Sequence, residues 1–190
     1  SGVNPLTGLL AENPDLLKLP PALISISNFP ASGRPQSGLN SSPIVFEIAV
    51  GEGMTRFLAM FYGQFPQLIS GQTEGHPPGS QSPNAPSDDG AGIGPIRSGR
   101  LPYEGLRSFY SGFLVMASAY SGVAANLSQT TSIYGSDSDD INSAVINVNL
   151  LKELAESHAN TYAGSKFSLE GMKFSDIPPN GGKFADKVWV

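Results

Sequence analysis

Residues 43–65 read PIVFEIAVGEGMTRFLAMFYGQF, and this stretch decides the fold class. Ile44, Phe46, Ile48 and Val50 alternate with Val45, Glu47 and Ala49, the period of a strand with one face turned to a core. Gly51-Glu52-Gly53 interrupts the pattern, and a second β-rich run resumes at Thr55. Two such runs about a short glycine-bearing break predict a hairpin. Its register stays open. Pairing Ala49 with Arg56 makes Glu47 and Arg56 diagonal neighbours on one face, whereas a shift by one residue puts them on opposite faces.

Upstream, ALISISNF at residues 22–29 alternates Ile24 and Ile26 against Ser25 and Ser27, which predicts a half-buried strand. Downstream, FLVMAS from Phe113 is continuously apolar, as in a strand covered on both faces. Between them, Pro102 suits the first turn of a helix whose apolar face is Leu106, Phe109 and Tyr110 and whose stop is Gly112. Residues 142–162 form the longest helical pattern, with Val145, Val148, Leu151, Leu154 and Ala155 on one face and Gly164 as its stop. The expectation is α/β: a single layered domain over residues 1–190 with a mixed β-sheet containing a central hairpin at Ile44–Gln64. Helices near 102–111 and 143–163 pack on that sheet. Residues 70–92 differ in kind. Gly, Pro and Ser make up 13 of those 23 residues, so the segment reads as a long loop or insertion with too little apolar surface to offset its ordering entropy.

Composition excludes several classes of function. The chain has 190 residues, 39% hydrophobic and 14% charged, which suits a globular domain rather than a charge-driven disordered one. A net charge of −5 gives no basic footprint for nucleic acid. The sequence contains no run of 18 apolar residues, the length a helix needs to span a bilayer. With no cysteine there is no disulfide, thiol nucleophile or zinc–cysteine site. Phosphate loops, zinc-protease motifs and nucleophile elbows are missing from the sequence. The two histidines, His76 and His158, are too few for a multi-histidine metal site. Asp137, Asp139 and Asp140 resemble a calcium loop, but Ile141 and Asn142 stand where a ligand and a glycine belong, so they read as an acidic turn before a helix. Neither a metal nor a cofactor is expected. The start, SGVNPLTGLL, has no charged n-region or apolar h-region and reads as a chain whose leader was removed. KFADKVWV at the other end stops within an alternating run, which reads as the loss of a following segment.

The arginines carry the clearest chemical signal. All five lie between Arg34 and Arg107, whereas the lysines stand at 18 and from 152 onward. A region using only arginine has planar forks suited to carboxylate or phosphate. Arg97 and Arg100 flank Ser98 and Gly99 just before the helix at Pro102, where free N–H groups and two guanidiniums would form an anion pocket. The alternative is that they pair with Glu47, Glu52 or Glu104. Glu47 and Glu52 could themselves be an acid–base pair of the glycosidase kind, or a structural salt bridge beside a solvated turn residue.

Three segments resemble a known family: NPLTGL at Asn4–Leu9, RPQSGLNSSPIVFEIAVGEGMTRFLAMF at Arg34–Phe61, and IGPIRSGR at Ile93–Arg100. Their order and spacing are similar to the N-terminal domain of the YerB-like bacterial lipoproteins, over roughly residues 4–120. Beyond that the family has an aromatic and Arg-rich stretch leading to a His-Asn pair, and here INVNLL stands in its place, with Val148 before Asn149. The resemblance implies a secreted, lipid-anchored envelope protein, usually with a second, C-terminal domain, and no established activity. It draws attention to Arg34, Glu47, Glu52, Arg56, Arg97 and Arg100. The function expected is a non-enzymatic envelope binding module. It would take an anionic small molecule, a cell-wall fragment, a protein partner or its own C-terminal domain through Arg97, Ser98 and Arg100, with Arg56 and Arg34. Contact with a membrane would come only through the anchor. A cell-wall glycan hydrolase using Glu47 and Glu52 is the alternative, as is a purely structural half of a two-domain protein.

Overall fold

Along the described chain run strands β1 (Ala22–Ser27), β2 (Ile44–Gly51), β3 (Met54–Phe61), β4 (Gly92–Ile93), β5 (Phe113–Met116), β6 (Thr130–Ser132) and β7 (Ile146–Asn147). Helices α1 (Pro102–Phe109), α2 (Ser121–Ala124) and α3 (Val148–Thr161) complete them, with short 3-10 turns between. The structure is a computed structural model and describes residues 2–66, 92–134 and 144–161. The hairpin forms as its alternation predicts, with β2 antiparallel to β3. At its turn Gly51, Glu52 and Gly53 all have positive φ, which the two glycines adopt without penalty. An irregularity between Ala49 and Gly51 fixes the register, setting Ile48 opposite Arg56 and Ala49 opposite Thr55. Glu47 and Arg56 therefore lie on opposite faces, and the diagonal pair between them does not form.

The main sheet has the order β2-β3-β1-β5-β6. β1 is antiparallel to β3 and parallel to β5, and β5 is parallel to β6, so the mixed α/β sheet is borne out. The hairpin forms one side of this sheet and β1 its centre. All six residues of β1 are buried, against the expectation of a half-buried strand. The alternation is real, but both faces are covered, and Ser25 and Ser27 face a polar partner rather than water.

One face presents Ala22, Ile24, Ile26, Ala59, Phe61, Phe113 and Val115 to Val148, Leu151 and Ala155 of α3 and to Ile93 and Ile146 of the small β4–β7 sheet. The other presents Leu23, Leu58, Met60 and Leu114 to Tyr103 of α1, Leu6 and Tyr62. Within α1 the stripe toward the sheet is Tyr103, Leu106 and Tyr110, and Phe109 falls off it, 77% exposed, contrary to the predicted face. α3 begins later than its pattern suggests. Ile146 and Asn147 are extended and pair with β4, and the Asn147 side chain accepts the main-chain N–H of Asn149 at 2.8 Å, which starts the helix at Val148. Val145 is buried ahead of the helix rather than on its face. Gly92, expected to close the insertion, opens β4. The rest of that segment, His76, the Asp137–Asp140 turn, Asn142, Tyr162, Gly164 and the tail lie outside the described residues. His158 packs inward, its ring stacked on Phe113 with centroids 4.3 Å apart.

α1 is fastened at its middle. Arg107 donates two hydrogen bonds to Glu104, at 2.7 and 3.0 Å, and the same carboxylate accepts the Ser128 N–H at 3.0 Å and hydroxyl at 2.6 Å. Burial alone would raise the Glu104 carboxyl, but the hydrogen bonds from Arg107 and Ser128 together outweigh it and hold it at about 2. A carboxyl held below its unfolded value stabilises the fold above about pH 4.5, and that stability is lost as pH falls toward 2. Solvent reaches part of this cluster and screens it, so its contribution is about 1–2 kcal/mol. Denaturant titrations of the wild type and Glu104→Gln should differ by that much at pH 7. The two curves should converge as the pH approaches 2.

Candidate functional site

The parallel strands β1 and β5 pair only as far as Ile24 and Val115. Past that point they part, and residues 95–99 enter between their carboxyl ends. Ser27 N donates to Pro95 O at 2.9 Å and Arg97 N to Ser25 O at 2.8 Å, extending the edge of β1. On the other side Ala117 N donates to Arg97 O at 3.0 Å and Gly99 N to Ser118 O at 2.7 Å. Such carboxyl-end crevices are where open α/β sheets commonly receive ligands. The wedge needs a glycine: a Cβ at position 99 would lie 2.5 Å from Met116 Sδ and 2.8 Å from Leu127 Cδ1.

This loop brings three of the predicted arginines together. Arg56 reaches in from β3 and donates from Nη1 to Ser98 O at 2.6 Å. Arg100 donates from Nη1 to Gly99 O at 3.0 Å, and Arg97 from Nε to Ser27 Oγ at 3.2 Å. Burial lowers the pKa of Arg56; the nearby Tyr103 hydroxyl offsets part of this, and the neighbouring charges of Arg100 and Arg97 depress it further. Among the described residues neither Arg56 nor Arg100 is ion-paired. Of the carboxylates weighed as partners, Glu104 is taken by Arg107. Glu47 is exposed and accepts the Thr55 hydroxyl at 2.7 Å and the Asn28 amide at 3.4 Å. Glu52 is exposed at the hairpin turn.

Ser98 contributes through its main chain as well as its side chain. Its carbonyl orients Arg56 and accepts the Ser25 hydroxyl at 3.3 Å, while its own hydroxyl lies 3.4 Å from that of Ser118 at the rim. Arg34 does not join the cluster. Its Nη2 donates to the carbonyl and side-chain oxygens of Asn28, at 2.7 and 2.9 Å. Two residues that sequence reasoning passed over form the floor: Tyr103 and Ser25, both fully buried, with their hydroxyls 3.4 Å apart. Burial raises the Tyr103 pKa, so the phenol stays neutral. The available signal was the pair of serines in an otherwise apolar strand, since a buried hydroxyl needs a polar partner. A pocket of about 340 Å³ elsewhere, lined by Glu12, Asn13, Leu16, Ser41, Gln64 and Phe65 among others, holds none of the predicted residues. Among the described residues no cluster of His, Cys, Asp or Glu could hold a metal ion, and no helix is long and apolar enough to cross a membrane.

Residues 6–71 match the family described as "Protein of unknown function (DUF3048) N-terminal domain". A 66-residue stretch is 46% identical to "Putative lipoprotein YerB" of Bacillus subtilis (strain 168), covering 34% of this chain and 19% of the relative. The resemblance to the YerB-like family is borne out. The crystal structure of YerB protein from Bacillus subtilis shares the fold, with a TM-score of 0.58 and 24% identity over 87% of this chain and 51% of that one. The chain thus spans about half the length of the YerB chain whose fold it matches. The matched family segment holds Arg34, Glu47, Glu52 and Arg56, whereas Arg97 and Arg100 lie outside that segment.

Proposed function

We propose that this chain is an extracytoplasmic binding module of a lipid-anchored envelope protein, and that Arg56, Arg97 and Arg100 receive an anionic ligand or an acidic group of a protein partner. The observation that carries the reading is how Arg56 and Arg100 are held. Each guanidinium has five N–H donors, and the hydrogen bond that anchors each runs to a main-chain carbonyl rather than to a carboxylate. Cations gathered in this way gain from an incoming anion, and a local pocket acts at shorter range than the net acidic charge of the chain. The anchor and the envelope location rest on the relative's name as a lipoprotein. A glycan hydrolase built on Glu47 and Glu52 has less support, because Glu47 is engaged by Thr55 and Asn28.

The test is a thermal-shift screen against cell-wall fragments and small di- and tri-anions, with Arg56→Ala/Arg100→Ala beside the wild type. A ligand at a hundred times its Kd stabilises by about 2.7 kcal/mol, which is roughly 5–10 °C in Tm for a chain of this size. The shift should vanish in the double variant. No shift with any compound, together with a much lower melting point for the variant, would make the arginines architectural.

A further inference from the structure

We infer that the anion taken at this cluster is a phosphoryl group in its doubly charged form, in preference to a carboxylate. The inference rests on the binding reading above and narrows it to one chemistry. Charge comes first. Arg100 lies close enough to Arg56 for its charge to act on it, and among the described residues no carboxylate pairs with Arg56 or Arg100. A singly charged carboxylate relieves less of that repulsion than a dianion does.

Geometry points the same way. A carboxylate offers two coplanar oxygens that match one guanidinium fork, whereas a phosphoryl group offers three oxygens spread over a tetrahedron. Here the forks come from different elements, Arg56 from β3 and Arg100 from the loop, and they are fixed by the consecutive carbonyls of Ser98 and Gly99. Donors supplied by separate elements suit the tetrahedral group better than one coplanar pair of oxygens. The loop carries further donors. Among the described residues the main-chain N–H groups of Ser98, Arg100 and Leu101 have no protein acceptor, although those of Arg97 and Gly99 are both used. The adjacent N–H groups of Arg100 and Leu101, beside an arginine, are a common kind of setting for phosphate oxygens. Ser98 and Ser118 add hydroxyls at the rim. Tyr103 and Ser25 are fully buried and do not reach the ligand, and Ser25 donates to the same Ser98 carbonyl that accepts from Arg56.

Isothermal calorimetry at constant ionic strength would compare methyl phosphate, dimethyl phosphate, acetate and malonate. A phosphate monoester has its second pKa near 6. If only the dianion binds, methyl phosphate should weaken about tenfold between pH 7.5 and pH 5. Dimethyl phosphate, which has the single charge of a lipid-headgroup diester, should bind at least tenfold more weakly than methyl phosphate at pH 7.5. Arg100→Lys keeps the charge but loses the fork, and should weaken methyl phosphate by roughly tenfold while melting like the wild type. Lys152→Ala, on the exposed face of α3, should change nothing. Binding of malonate or acetate as tight as that of methyl phosphate would overturn this inference and leave the anion-binding reading standing. A pH-independent affinity, or equal binding of dimethyl phosphate, would overturn the dianion. Heat from none of the four, in a protein whose folding is verified by its melting curve, would remove both readings.

Discussion

Replacing Tyr103 with alanine is expected to destabilise the fold by about 3–5 kcal/mol, the usual cost of deleting a buried aromatic ring. Tyr103 is the largest of the fully buried side chains and fills the space between α1 and the Leu23, Leu58, Met60 and Leu114 face of the sheet. α1 is fastened through Glu104 to Ser128, which holds it from closing over the space the ring leaves. In a chain of this size each kcal/mol moves Tm by about 2–4 °C, so melting should fall by roughly 6–20 °C. Tyr103→Phe separates packing from polarity. It keeps the ring and removes a hydroxyl whose partner, Ser25 Oγ, is a long 3.4 Å away, so about 1 kcal/mol should be lost. A loss as large as that of the alanine variant would show that the hydroxyl, rather than the ring, holds the floor of the arginine cluster.

Gly112→Ala is the second change with a large expected effect. Gly112 stands between α1 and β5, where Phe113 N donates to Pro21 O at 3.0 Å and the chain passes against the start of β1. A Cβ there would fall 2.5 Å from Pro21 O and would collide with Leu23 Cδ1 as well. Leu23 can turn aside at some cost, but a backbone oxygen that already accepts a ladder hydrogen bond cannot. The strand pair must part, and overpacking of this kind costs about 3 kcal/mol. Urea unfolding would read it directly as a lower midpoint with an unchanged slope. A loss below about 0.5 kcal/mol would mean that β1 and β5 can separate freely at this end.

What could be read from the residues followed from local periodicity. The hairpin, the buried run at Phe113 and the helix at Pro102 all announce themselves by spacing and by Pro or Gly punctuation. Two things lay beyond that reach. The register of the hairpin depends on how Gly51, Glu52 and Gly53 turn, and the irregularity at Ala49–Gly51 decides whether Arg56 meets Glu47 or looks the other way. Alternation in β1 announced two different faces but not what would cover the second. Its serines are buried because a distant loop supplies the partners: Ser98 O accepts from Ser25, and Arg97 donates to Ser27. The arginines drew notice by type and neighbourhood, yet their convergence is a tertiary fact. Arg34 and Arg56 read alike in the sequence, and one ends at Asn28 while the other ends under Ser98.

The central position of β1 also orders assembly in time. On one edge Ala22 meets Phe61, and on the other it meets Phe113, about fifty residues later in the chain. Closing a longer segment costs more entropy before any contact rewards it. The three antiparallel strands can therefore come together while the β5 side of β1 still offers unpaired amides and carbonyls to any passing chain. That edge is sealed in two pieces, by β5 as far as Ile24 and by the bridge from Ile96 to Ile26 beyond it. The loop that gathers the arginines is thus also what closes the stretch of β1 edge that β5 leaves open.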